Sequence, residues 1–153
     1  MTELKSYLQL EGDDLHIGTS VYKSRLIVGT GKYPSENIAK ESIINSGSEL
    51  VTLALKRYDK NDSNNILRPI GTKKLLPNTA GVLTADEAIR SSKISQELFQ
   101  TNLIKLEIIS SSQNLDPNME ETLIAAKKLV QDGFEVYVYL SLIHISEPTR
   151  QHW

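Results

Sequence analysis

An α/β fold built on a parallel sheet is what this 153-residue chain predicts, and three observations predict it. Short apolar runs rich in β-branched residues recur along the chain. Amphipathic stretches of helical spacing separate them. The two alternate with no long linker or shift of composition before Tyr139. Strands joined by helices in this way are the sequence form of right-handed βαβ units. The length is that of one domain with a respectable core.

The elements follow in order. Residues 14–18 and 21–25 read as a short hairpin leading into a first strand at residues 26–28, which ends at the turn Gly29-Thr30-Gly31-Lys32-Tyr33-Pro34. Ser35 is an N-cap for a helix running to about Asn45, and Gly47 is a C-terminal stop. Residues 49–55 form a second apolar strand. Residues 58–65 are a polar loop, and residues 66–70 a helical turn interrupted by Pro69. Residues 74–77 make a third, shorter strand, capped by the turn Asn78-Thr79-Ala80-Gly81.

Thr84 can N-cap a helix carrying Ala85, Ala88, Ile89, Ile94 and Leu98 on one side, with Glu87 at the capping-box position. The fourth strand is Asn102-Leu103-Ile104-Lys105-Leu106-Glu107-Ile108-Ile109. Asp116 as N-cap with Pro117 at the first helical position starts another helix. Its apolar stripe includes Leu123, Ala126, Leu129 and Val130, and Gly133 ends it. Residues 134–139 open a fifth strand. An open doubly wound sheet and a (β/α)8 barrel both close such a pattern. Four and a half units amount to about half a barrel.

The fourth strand carries the chemistry. Side chains two apart on a strand share a face, so Lys105 and Glu107 project one way while Ile104, Leu106 and Ile108 project the other. An ammonium is costly to desolvate, and burial favours the neutral, nucleophilic amine. Such an amine can form a Schiff base with a ketone or aldehyde, and the adjacent carboxylate can move the protons this requires. The alternative is the solvent face of an edge strand carrying a weak exposed ion pair.

Other classes are excluded by composition. Hydrophobic content of 39% and charge of 24% describe an ordinary globular protein. A net charge of −2 with no basic stripe gives no case for nucleic acid. No apolar run approaches a membrane span, and no signal-peptide core is present. Zero cysteines exclude disulfides and thiolate chemistry. His16, His144 and His152 have no metal-ligand spacing. A cytoplasmic protein without metal or cofactor is expected.

The turn after the first strand invites comparison with nucleotide-binding loops and fails both tests. A P-loop needs glycine where Leu26 stands and Ser or Thr where Tyr33 stands, and a dinucleotide fingerprint needs glycine in place of Pro34. What remains is a flexible turn at the carboxyl end of a strand, where α/β proteins place ligands. Thr52, Asn78 and Thr79 are further polar groups near such ends. Lys56 and Arg57 follow the second strand and face either an anion or water.

Taken in order, several stretches resemble thiazole synthase, the family that assembles the thiazole ring of thiamin. They are Ser24-Arg25-Leu26-Ile27-Val28-Gly29-Thr30-Gly31-Lys32-Tyr33, Leu50-Val51-Thr52-Leu53-Ala54-Leu55-Lys56-Arg57 and Leu75-Leu76-Pro77-Asn78-Thr79-Ala80-Gly81. Thr84-Ala85-Asp86-Glu87-Ala88 and the run from Asn102 to Glu107 continue the likeness, within residues 14–139. The resemblance implies residues 1–139 as the N-terminal half of a (β/α)8 TIM barrel. It also implies condensation of 1-deoxy-D-xylulose 5-phosphate, dehydroglycine and sulfur from the C-terminal thiocarboxylate of a ubiquitin-like carrier protein. Lys105 falls on the family's Schiff-base lysine and Glu107 on its acid/base glutamate. A dehydroglycine-producing enzyme and self-association into a homo-oligomer are further implied partners.

Three more strands would be needed after Tyr139, bringing the phosphate-holding loops and a second carboxylate. In their place residues 140–153 resemble the in-frame translation of a transposase adapter, so that His144 and Trp153 carry no role and the fragment is expected to be inactive. Two rivals keep their place: another Schiff-base barrel acting on a sugar phosphate, such as an aldolase, and a non-catalytic α/β binding module in which Lys105 and Glu107 merely pair.

Overall fold

The computed structural model describes residues 14–57 and 73–141. The loop and turn expected over residues 58–70 lie outside the described residues, as do residues 142–153 of the expected tail. Among the described residues there are seven strands and three α-helices, the helices falling between parallel strands as βαβ units require. They are β1 (Leu15–Ile17), β2 (Ser20–Tyr22), β3 (Ile27–Gly29), α1 (Glu36–Asn45) and β4 (Leu50–Ala54), then β5 (Lys74–Asn78), α2 (Ala85–Phe99), β6 (Leu103–Leu106), α3 (Met119–Gln131) and β7 (Glu135–Val138). No helix among the described residues is long and apolar enough to cross a membrane.

The first two strands pair antiparallel as a hairpin. The other five form one parallel sheet in the order β3-β4-β5-β6-β7. Each strand therefore lies beside its successor, and the chain winds in one direction. A doubly wound sheet reverses its order midway; this one does not. Of the two closures open to the sequence, the order is that of a barrel wall, here five strands wide and unclosed.

The two faces differ because alternate residues project to opposite sides. On one face Ile104, Leu106 and Ile108 pack with Ala85, Ala88, Ala125 and Leu129 of the helices. Val51 meets Ile43 of α1 on the same side. On the other face Leu50, Leu76 and Leu103 pack around Tyr22, with Leu15 and Ile17 of the hairpin and Tyr137 against them. The hairpin thus covers the helix-free face near the N-terminal ends of the strands. The Tyr22 and Tyr137 hydroxyls lie 3.2 Å apart, and the latter donates to Glu135 Oε1 at 3.1 Å. Burial, then these two neighbours, raise the Tyr137 phenol above its ordinary value, so it stays protonated.

The helix starts explain themselves locally. Ser35 accepts from the Ile38 amide at 3.3 Å and Thr84 from the Glu87 amide at 3.3 Å, both as N-caps. Glu87 reaches back to the Leu83 amide at 3.0 Å. The third helix corrects its expected start. Asn118, rather than Asp116, is the N-cap and accepts from the Glu121 amide. Pro117 is buried and pairs with Ile109 in an antiparallel bridge. The Ser110 amide donates to Asp116 O and the Asn118 amide to Ile108 O. Pro117 sits between those bonds, where its missing N–H is not needed.

The helix faces also differ from the expected stripes. Ala85, Ala88, Ser92 and Ser95 are the buried residues of α2, whereas Ile94 is 51% exposed and Leu98 43%. Thr122, Ala125 and Leu129 are those of α3, while Leu123 is 72% exposed and Val130 60%. Small side chains let the two helices approach the sheet and each other closely. The buried serines cost little, because Ser92 donates to Ala88 O and Ser95 to Ser92 O, each at 2.8 Å.

Two outcomes check this account. Leu106 is fully buried between sheet and helices, so Leu106→Ala should lower the urea-measured stability by ~2–5 kcal/mol. At the end of α3, a hydrogen bond from Lys128 and then one from Lys93 hold the Asp132 carboxyl below its ordinary value near 3.8. A carboxyl depressed in the folded state adds stability that is present above its unfolded value and lost as pH falls through the folded one. The urea midpoint of the wild-type chain should therefore exceed that of Asp132→Asn at about pH 6, and the gap should close as the pH falls below the ordinary carboxyl value.

Candidate active site at the carboxyl ends of the strands

Strand β6 and the residue just past it carry two polar side chains placed by alternation. Ile104 and Leu106 are held among the helices, so Lys105 and Glu107 must project from the helix-free face. Lys105 Nζ lies 3.0 Å from Glu107 Oε1. The strand is fourth of five and pairs on both sides, which removes the edge-strand alternative. Burial is less complete than expected: the Lys105 side chain is 35% exposed and that of Glu107 18%.

Polar groups singled out in the sequence gather around this pair. Asn78 is the register partner of Lys105 on β5. Its Nδ2 donates to Thr52 Oγ1 at 3.2 Å, and its Oδ1 accepts from the Ala80 amide at 3.2 Å. Thr30, in the turn after β3, donates from its hydroxyl to Thr52 O at 3.2 Å. Thr79 is 2% exposed, and its hydroxyl both accepts from the Glu107 amide and donates to Glu107 O, each at 2.8 Å. The Thr79 amide donates to Lys105 O at 3.2 Å.

Beside Glu107 opens a cleft of about 460 Å³, lined by Lys56, Gly81, Glu107, Leu115 and Tyr139 among others; Lys105 reaches it only through its contact with Glu107. Lys56 donates to Gly81 O at 2.5 Å, which places its ammonium at the mouth. The Arg57 side chain lies outside the described residues. Leu115 and Tyr139 escaped the sequence analysis. Tyr139 follows Tyr137 by two, a spacing that puts both on one face of the strand and its extension. Its hydroxyl donates to Leu115 O at 3.3 Å. Leu115 has φ +57, a left-handed value that no leucine signals in advance. Among the described residues no three His, Cys, Asp or Glu side chains gather as a metal site.

This arrangement offers an amine, a carboxylate in contact with it, amide and hydroxyl groups beside it and a cationic rim. That is the equipment for imine formation followed by proton transfer.

Comparison with known proteins gives a consistent picture. The family model described as thiazole biosynthesis protein ThiG matches residues 16–145. Among curated relatives, thiazole synthase of Clostridioides difficile (strain 630) is 45% identical over 131 residues, covering 84% of this chain and 51% of that protein. Thiazole synthase of Aliivibrio salmonicida (strain LFI1238) is 47% identical over 128 residues, covering 82% and 50%. The chain thus spans about half the length of the curated relatives it matches. Among solved structures, a chain of the Amycolatopsis orientalis BexX/CysO complex superposes with a TM-score of 0.64 at 19% identity, covering 82% of this chain and 53% of that one. That likeness extends to the fold.

The cleft wall carries a backbone constraint that can be measured. Gly81 has φ +83, and a Cβ there would lie 3.6 Å from Lys56 Nζ. Contact is tolerable but the conformation is not, so Gly81→Ala should cost about 1–2 kcal/mol in a urea titration.

Proposed function

This chain belongs to the thiazole biosynthesis protein ThiG family, and we propose that the family-length protein containing it is a thiazole synthase acting through an imine on Lys105. The observation that carries this is the 3.0 Å contact between Lys105 Nζ and Glu107 Oε1 on the helix-free face, at the carboxyl ends of parallel strands. Barrel enzymes place their chemistry at that end.

In the proposed sequence the Lys105 amine attacks the ketone carbon of 1-deoxy-D-xylulose 5-phosphate. A C–N bond forms, and the ketone oxygen leaves as water with the two protons the amine gives up. The imine then acidifies the neighbouring C–H, whose proton Glu107 accepts and returns during rearrangement. Dehydroglycine supplies the remaining carbon and nitrogen, and a thiocarboxylate-bearing carrier protein the sulfur. The solved neighbour, BexX/CysO, is likewise a complex, in accord with a protein partner. Phosphate-holding loops and a second carboxylate would come from sequence beyond residue 139. Self-association and a cytoplasmic setting complete the proposal.

Borohydride trapping tests it in a family-length protein that begins with residues 1–139 of this chain. With 1-deoxy-D-xylulose 5-phosphate, peptide mass mapping should find a reduced adduct on Lys105 and none in Lys105→Met. Glu107→Gln should still form adduct while turnover falls by about 10²–10⁴-fold. A wild-type protein that stays unmodified at Lys105 would refute the proposal.

A further inference from the structure

The carboxylate beside Lys105 owes its place to a neighbouring strand through an unusual link. Between β5 and β6 the regular register is a single pair, Asn78 with Lys105. One residue further on, the Thr79 hydroxyl occupies the position a backbone group would hold in a ladder. It accepts from the Glu107 amide and donates to the Glu107 carbonyl, both at 2.8 Å. Its own amide donates to Lys105 O at 3.2 Å, and its carbonyl accepts from the Val82 amide at 3.2 Å. With 2% of its surface exposed, Thr79 is shut away from the cleft and from substrate. One buried hydroxyl therefore clamps both backbone polar groups of Glu107, while the adjoining amide anchors Lys105.

We propose that Thr79 is the positioning residue for proton transfer by Glu107, setting where that carboxylate lies relative to an imine on Lys105. This rests on the imine chemistry given above and goes beyond it by making the placement of that carboxylate depend on a third residue. The step itself balances simply. The C–H bond next to the carbon of the N-protonated imine breaks, its electron pair forms the carbon–carbon double bond of a neutral enamine as the C=N π pair returns to nitrogen, and the proton passes to the Glu107 carboxylate. Imine formation needs chiefly the amine, whereas this transfer needs the carboxylate within hydrogen-bond reach of carbon-bound hydrogen. Losing the clamp should spare the first and slow the second.

The experiment uses the same family-length protein with 1-deoxy-D-xylulose 5-phosphate in D2O, quenched with borohydride at intervals. Adduct yield at Lys105 and deuterium uptake into the adduct are read together. Thr79→Val keeps the shape and removes the hydroxyl; Thr79→Ser keeps the hydroxyl; Thr79→Ala repeats the loss in a smaller side chain should the valine fold poorly. The expected result is adduct yield within about twofold of wild type in all three, with deuterium uptake slowed about tenfold to 10²-fold in the valine and alanine variants and restored by serine. Uptake at the wild-type rate without the hydroxyl would overturn the inference alone. Adduct and uptake lost together in all three variants would also overturn it, since Thr79 would then be scaffold only. A wild-type protein giving no adduct would overturn the imine chemistry and this inference with it.

Discussion

The period of two along β6 governs everything else in this molecule. Ile104, Leu106 and Ile108 are buried among the helices to within 1% of their surface. Their burial leaves Lys105 and Glu107 no choice of face. Slipping the strand by one residue would drive both charges into the helix layer and expose three large aliphatic side chains, a change no local rearrangement could offset. The chemistry is thus aimed by the core, with no strain or special loop needed to present it. The same logic aligns Thr52 and Asn78 on neighbouring strands, since each shares a face with the apolar residue two before it, Leu50 and Leu76.

Where regular pairing thins out, side chains take its place. The turn after β5 breaks the ladder at the point where β6 gives way to Glu107, and Thr79, Asn78 and Thr30 supply hydrogen bonds across the strand ends. These hydroxyl and amide groups satisfy buried backbone partners that would otherwise be orphaned. They also bring polar character to the mouth of an apolar wall. The line between scaffold and site is therefore not drawn between strands and loops. It runs through single residues that serve both.

Much of this could be seen in the amino-acid order, and the exceptions have physical causes. Strands, caps at Ser35 and Thr84, and the shared face of Lys105 and Glu107 follow from local rules that act over a few residues. The start of α3 did not, because Asp116-Pro117 imitates a helix start while the backbone there is already engaged with residues 108–110. The helix stripes misled for a related reason. Periodicity marks apolar residues, but close packing of α2 and α3 selects small ones, so Ser92 and Ser95 are inside and Ile94 and Leu98 outside. The Thr79 clamp depends on two strands meeting at one height, which no single stretch of sequence encodes. Leu115 required knowing how the loop after β6 returns.

The bond between Tyr22 and Tyr137 joins residues 115 positions apart, and it ties the opening hairpin to the last strand of the sheet. The Lys23 and Ser24 amides meet Glu49 just before β4, so the hairpin acts as a strut across the wall from one side to the other. The hairpin therefore has no complete seat until Tyr137, far along the described chain, is in place. Closing the helix-free face at its lower end couples the two sides of the wall, so loosening either one loosens the other.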